Sequence, residues 1–419
     1  MNSAAPPPDT RLTAPGRALA PFRFPAFRAI WTANLVSNFG AMIQSVGAAW
    51  LMTDLTTSHQ LVALVQASTT IPVMLLAVFA GAIADNYDRR LVMLAAQAVM
   101  LAVSATLAVL TMLDRIGPLS LLVCTLAVGC GTALNGPAWQ ASVRMQVGAA
   151  DLPQAISLNT IAFNLARSVG PALGGLLISL TGPEVGFTVN TFSYLALIIV
   201  LLRWRPEQPP RQRQPMLASI MTGLRFCAGS DPVRRVLTRG LVFGFGAAGI
   251  QGLLPLLVRH QLQGGEVQYG LALGAFGIGS IVTALWIAPA RRRWGSEAVV
   301  TGASLAFAVA IVPLALTQSL GVALICLLVA GGGWVAILTT LNVAMQLRSP
   351  EAILGRCMAI YQAVAFGGMA IGAYTLGLVA DLTGTSTAIL GAAGLIAGSL
   401  PLLRRFAPMP AREEGRVVA

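Results

Sequence analysis

Long apolar stretches alternate with short polar breaks along the whole chain, and the pattern predicts twelve membrane-spanning helices. The stretches cover 29–52, 60–84, 91–113, 118–141, 155–180, 185–203, 236–258, 269–289, 297–317, 320–342, 355–380 and 386–403. They approach or exceed the length of about 20 residues that a helix rising 1.5 Å per residue needs to cross ~30 Å of hydrocarbon. One break stands out, between the second and third stretches. In Gly81-Ala82-Ile83-Ala84-Asp85-Asn86-Tyr87-Asp88-Arg89-Arg90-Leu91, four charges fall within six residues. The longest polar gap, 203–231, divides the stretches six and six. Inside it Met216–Ala228 keeps its apolar residues on one helical face, which predicts an amphipathic helix at the membrane surface.

The fold class that follows is an all-α membrane protein with two six-helix bundles. Five segments are expected: a disordered cytoplasmic tail (1–28), a first half (29–203), a cytoplasmic linker with the amphipathic helix (204–235), a second half (236–403) and a cytoplasmic tail (404–419). The N-terminal tail is Pro/Ala-rich and basic and lacks the apolar core of a signal peptide.

Composition supports the membrane class: the chain of 419 residues is 56% hydrophobic and only 10% charged, with mean hydropathy +0.76. Its net charge of +12 reads as topology, not as nucleic-acid binding. All 27 basic residues are Arg, and apart from Arg167, which falls inside a span, they sit in or at the edges of the breaks. With the N-terminus cytoplasmic, the inner breaks hold Arg89, Arg90, Arg144, the block from Arg203 to Arg239, Arg291 to Arg293, Arg348, Arg356 and Arg404 onward, whereas the outer breaks hold Arg115 and Arg259 alone. That asymmetry predicts both termini on the cytoplasmic side of the membrane. The outer breaks carry Asp54, Asp114, Glu184, Glu266 and Asp381, and both histidines, His59 and His260. The five cysteines are odd in number and show no metal-ligand spacing, so neither a disulfide framework nor a metal site is expected.

The two halves repeat each other. Val143-x-Met145-Gln146-Val147 matches Val343-x-Met345-Gln346-Leu347, and Asp151 matches Glu351 at the same offset. Phe39-Gly40-Ala41 with Gln44 in the first stretch matches Phe245-Gly246-Ala247 with Gln251 in the seventh. The fifth and eleventh both end in Leu-Thr-Gly. Paired halves of this kind typify alternating-access carriers with a site between them near the midplane.

Twelve spans, a central basic loop and Gly81-x-x-x-Asp85-x-x-x-Arg89-Arg90 resemble a major facilitator superfamily transporter. The family pattern there is Gly-x-Leu-Ala-Asp-Arg-x-Gly-Arg-Arg. Ile83, Asn86 and Asp88 depart from it, and Asp in place of the second Gly is common in the drug and siderophore exporter branch. Arg167 to Gly175 resembles the end of the helix-5 motif of exporters, without its upstream glycines. Ser349 to Arg356 and Leu217 to Ser230 resemble segments of enterobactin-exporter-like proteins. The resemblance implies a conformational latch made by Gly81, Asp85, Arg89 and Arg90, with Asp85 facing the start of the eleventh span near Arg356; Arg144, at the end of the fourth span, is a candidate ionic partner of Asp85. The bare alternative for the arginines is topology alone. The repeat counterpart, Arg291 to Arg293, keeps the positive charge without the Asp, so the latch is expected to be asymmetric.

Polar residues in apolar spans are the candidate cavity lining: Asn34, Asn38 and Gln44; Asn135, Trp139 and Gln140; Asn164 and Arg167; Gln251; Trp334, Asn342 and Gln346. Each either lines a cavity or bonds to a neighbouring helix. Arg167 is the one clear mid-span charge, a placement costing roughly 2.5–3.5 kcal/mol on insertion scales. It either meets an anionic substrate or bonds between helices. Gly170, Pro171, Gly174 and Gly175 form either a hinge or packing surface, or ordinary small-residue contacts. Asp54 and His59 are the nearest thing to a proton-handling pair; two residues in a wet turn is the alternative.

Gly244-x-Gly246-x-x-Gly249 lies inside a span with no preceding strand and is no dinucleotide site. No GxxxxGK[ST] occurs, so ATP is not the direct energy source. The expected function is secondary active, proton-coupled export of a small organic molecule, siderophore-like or drug-like, by a monomer in the lipid bilayer. It needs no cofactor and is not an enzyme. An importer of the same fold and a non-transporting receptor are the alternatives.

Overall fold

The computed structural model describes residues 19–148, 151–205, 216–350 and 353–409; the side chains of Val78, Ala82, Asp85, Pro153 and residues 216–219 are outside the description. Among the described residues the chain forms α1 (Pro25–Leu55), α2 (His59–Asn86), α3 (Arg89–Met112), α4 (Pro118–Ser142), α5 (Leu152–Thr181), α6 (Pro183–Arg203), α7 (Met216–Gly229), α8 (Asp231–Leu256), α9 (Glu266–Leu316), α10 (Leu320–Leu347), α11 (Leu354–Thr383) and α12 (Thr385–Phe406). A π-turn, Leu257–Gln261, follows α8.

Eleven of these helices are long and apolar enough to cross a membrane. The exception is α7, whose 14 residues reach only about 21 Å. In contrast α9 has 51 residues. Straight, it would measure about 77 Å, more than twice the hydrocarbon thickness. Its backbone turns at Gly295 (φ 80°, ψ 162°), dividing it into arms of 266–294 and 296–316. Counting both arms gives the twelve crossings expected. The break expected between the eighth and ninth stretches is a one-residue joint.

Local chemistry sets the helix ends. The Ser58 hydroxyl accepts from the Leu61 N–H at the start of α2, and the Asp88 carboxylate accepts from the Arg90 and Leu91 N–H groups at the start of α3. The two Leu-Thr-Gly repeats fold alike: Gly182 has φ 91°, ψ 162°, and Gly384 has φ 93°, ψ 157°. This region of backbone space is essentially closed to residues with a Cβ. Gly384→Ala is therefore expected to cost about 1–3 kcal/mol, although an added Cβ would meet nothing within 4 Å. A lower melting temperature at unchanged helix content checks this.

Helices α1–α6 pack into one bundle and α8–α12 into another, and their contacts repeat: α1 lies on α5 and α6 as α8 lies on α11 and α12. Polar groups join helices within each bundle. The Gln44 Oε1 atom of α1 accepts from Ser104 Oγ of α3 at 2.7 Å and from Asn190 Nδ2 of α6 at 2.8 Å. Arg90 donates to the Leu201 and Leu202 carbonyls at the end of α6, at 2.7 and 2.9 Å. Arg239 of α8, 2% exposed, plays the equivalent part in the second bundle. Its Nε donates to the Ala407 carbonyl at 2.8 Å, and its Nη2 reaches both Glu297 carboxylate oxygens at 2.9 Å. Glu297 also accepts from the Thr301 hydroxyl and the Met409 N–H. The second bundle thus carries a carboxylate at this end, two residues past the Gly295 joint, while its Arg291 to Arg293 segment holds none.

The surface helix α7 rests on α11. An added Cβ at Gly223 would lie 3.0 Å from the Arg356 Cβ, so glycine lets the two helices approach. Burial, then the neighbouring Cys357 thiol, pushes the Cys227 thiol up to about 12, so it stays protonated at neutral pH.

Candidate substrate pathway

The bundles meet along α2 with α11 and α8, and along α5 with α9. One end of the assembly is rich in Arg and the other poor; the polar contacts between bundles described below lie at the Arg-poor end. Two clusters of connections cross there, one around Arg259 and one around Asp381. Asp54 of α1 is paired with Arg259, whose Nη1 also donates to the Thr53 hydroxyl at 2.7 Å. The Arg259 guanidinium lies 5.7 Å from the Trp50 ring centre, and Trp50 stacks on Tyr269 of α9 at 6.0 Å. Asp381 of α11 accepts from the Ser58 hydroxyl at 3.0 Å and from the His59 and Gln60 N–H groups at 2.5 and 3.1 Å. A carboxylate of one bundle thus caps a helix of the other, where the positive end of the helix dipole favours it. The His59 Nδ1 atom is 3.1 Å from Asp381 Oδ1.

Beneath these clasps the backbones touch. A Cβ on Gly377 would come within 2.9 Å of the Gln60 Cα, and one on Gly252 within 3.2 Å of the Ala63 Cα. On the opposite side, Gly175 of α5 faces the Glu266 carbonyl and the Gly270 Cα of α9, while Gly270 faces the Pro171 carbonyl and Gly277 the Ser168 Cα. Gly170 and Gly174 point elsewhere, onto Met42 and Ile43 of α1 in their own bundle. The helix-5 motif is therefore divided: two glycines seat α5 in its bundle, and Gly175 with Pro171 forms the seam. α5 runs unbroken through Pro171.

Arg167 lies one turn before both stripes, three residues before Gly170 and four before Pro171. By helical geometry its direction falls between α1 and α9, which belong to different bundles. It is half-buried, and its guanidinium makes no hydrogen bond or ion pair among the described residues.

The matching family extends over nearly the whole chain: residues 16–417 match the family described as transmembrane secretion effector, a branch of the major facilitator superfamily. The chain belongs to that family. It is similar to the multidrug efflux pump Tap of Mycolicibacterium fortuitum, at 26% identity covering 89% of this chain and 95% of that one. It is also similar to the enterobactin exporter EntS of Citrobacter koseri, at 27% identity covering 93% and 95%. Its fold matches the nucleoside transporter NupG in a D323A mutant structure (14% identity, TM-score 0.73, 90% and 99% covered) and a D-xylose–proton symporter (14%, 0.74, 95% and 100%). The protein is a multi-span membrane transporter of the major facilitator superfamily, acting on a small-molecule substrate.

Several expected site residues of this transporter have other positions. Gln44 is 6% exposed in the α1–α3–α6 network, so it holds its own bundle and lines no cavity. Trp334 is 4% exposed among Phe243 and Phe276, with ring centres 5.7 and 6.2 Å away, because its bulk fills the second bundle. Trp139 packs on the cluster around Ile30 and Leu197. Asn164 donates to its own helix at the Thr160 carbonyl. Gln346 donates to Asn342 one turn away, and Gln140 is exposed. Asn34, Asn38, Asn135 and Gln251 are half-buried, and Asn135 Oδ1 has no partner among the described residues. Asp54 and His59 do not pair; each is turned to a charge from the other bundle, Arg259 and Asp381 respectively.

At the Arg-rich end, Arg89 donates to the Ala141 carbonyl at 3.0 Å. Arg90 of α3 donates to α6 carbonyls, so both latch arginines serve carbonyls of their own bundle. Arg144 is exposed, and an added Cβ at Gly81 meets nothing within 4 Å among the described residues. Arg356 is half-buried beneath α7. The Asp85 side chain lies outside the described residues, as does Glu351.

Sequence reasoning missed Arg259, Asp381, Glu266, Trp50 and Tyr269 as seam residues, and Arg239 with Glu297. A usable signal existed for the first two. In a chain with so few charges, Asp54, Arg259 and Asp381 end spans on the same side but in opposite halves.

Proposed function

We propose that the protein exports a small organic molecule from a bacterial cytoplasm by alternating access, driven by inward proton movement. In this reading both termini are cytoplasmic, the Arg-poor seam is the outer gate, and one monomer carries the whole pathway. The efflux relatives favour export, and the Arg167 guanidinium, directed between the bundles and without a partner among the described residues, favours an anionic or anion-bearing amphipathic substrate. Asp85 is the latch residue of the inner side, with Arg356 as its partner.

The test is flux in proteoliposomes, with candidate siderophores and amphipathic drugs. Collapsing the proton gradient should lower uphill flux at least about tenfold; unchanged flux would reject proton coupling. Arg167→Gln should weaken the apparent affinity for anionic substrates about tenfold and leave cationic ones nearly unchanged, with partial recovery in Arg167→Lys. Equal effects on both classes would remove Arg167 as the anion contact. Asp85→Asn should insert normally and slow transport.

A further inference from the structure

The transporter has two histidines, and the fold brings both to one place. His59 opens α2 in the first bundle, and His260 lies in the π-turn after α8 in the second. Their ring centres are 6.4 Å apart, across the seam. Both face a cavity of about 770 Å³ at the Arg-poor end, whose polar lining includes Gln261, Gln263, Gln318 and Thr385. Solvent protons reach both rings there: the His59 side chain is 27% exposed and His260 is exposed.

The surroundings of the two rings differ. His59 Nδ1 lies against Asp381 of α11. The His260 ring has no hydrogen-bond partner among the described residues, and its chain neighbour is Arg259. From α1 the charge at this seam is Asp54, already paired with Arg259; from α11 it is Asp381, already shared by Ser58, His59 and Gln60. The ends of α9 and α11 and the start of α12 add only uncharged groups to the cavity. A first proton, on His59, strengthens its pairing with Asp381 and tightens the seam. A second, on His260, has no carboxylate of its own to meet, and it places like charges about 6 Å apart across the two bundles, beside a guanidinium. Separating the bundles relieves that repulsion.

We propose that His59 and His260 form a proton-operated release for this gate: clasped while at most one ring is charged, opened when both are. Histidine is the side chain suited to change charge between about pH 5 and pH 8, and burial, then the neighbouring His59 and Arg259, makes the charged form of His260 harder to reach. The bundles' relative motion rests on alternating access, whereas export, substrate and coupling ion do not enter.

The experiment measures the gate directly, without substrate. Spin labels go on Leu113→Cys and Ser319→Cys, exposed positions outside the seam in opposite bundles, with the five native cysteines replaced by alanine. Distance distributions are recorded in detergent at about pH 8 and about pH 5. The ratio of the long-distance to the short-distance population should rise about tenfold on acidification. In His260→Gln, and separately in His59→Gln, the rise should disappear while the pH 8 distance remains. No lengthening with both histidines present, or an undiminished response in His260→Gln, overturns the proposal. Loss of flux with an intact distance response would instead reject the export reading and leave the release standing.

Discussion

Gly175→Val should stop transport while leaving both bundles folded. A side chain there meets the Glu266 carbonyl and the Gly270 Cα, both backbone, so no rotamer change can make room. Since α5 and α9 belong to different bundles, the helices must separate, and the Arg-poor gate cannot close. The expected result is a flux loss of at least tenfold, with a melting temperature within a few degrees of the parent. Gly174→Val, one residue earlier, should do the reverse. It crowds the Ile43 Cα of α1 inside the first bundle, so its main effect is on stability. Gly391→Val, with nothing within 4 Å of the added Cβ, is the neutral control. If Gly175→Val transports normally, the α5–α9 contact is not part of the working gate.

Arg239→Ala carries the second large effect, on stability. The guanidinium is 2% exposed and ties α8 to Glu297 and to the carbonyls of Leu403 and Ala407. Removing it leaves Glu297 without its main counter-ion, and Arg404, 3.8 Å away and largely exposed, compensates little. Breaking such a pair from one side costs about 3–5 kcal/mol. Thermal unfolding in detergent should show it, and Arg239→Ala with Glu297→Gln should recover part of the loss. Equal melting for parent and single variant would show that this cluster does not hold α12.

The crossings were legible because hydrocarbon imposes a uniform demand: each span must be apolar for its full width, and polar residues are driven to the ends. The repeat was legible where backbone chemistry is demanding, as at Gly182 and Gly384, where a residue without Cβ is required. The Gly295 joint was less visible, because an Arg-rich break followed by glycine looks the same whether the chain loops or turns within one residue. Lining residues were the least legible. A polar side chain facing its own bundle, such as Gln44, follows the same spacing as one facing a cleft; only the neighbours Ser104 and Asn190 separate the two cases. Asp54 and His59 are close in sequence, which suggested a pair, yet docking of the second bundle supplies each with a nearer partner.

The glycine joints also limit how slack is distributed along the polypeptide. At Gly182, Gly295 and Gly384 one helix follows another with a single residue between them. Each such helical hairpin has almost no spare chain, so its two arms must enter the bilayer together and afterwards travel together. Inserting even a short tag at these joints should be tolerated far worse than inserting it in the break between α3 and α4, where residues 113–117 separate the two helices.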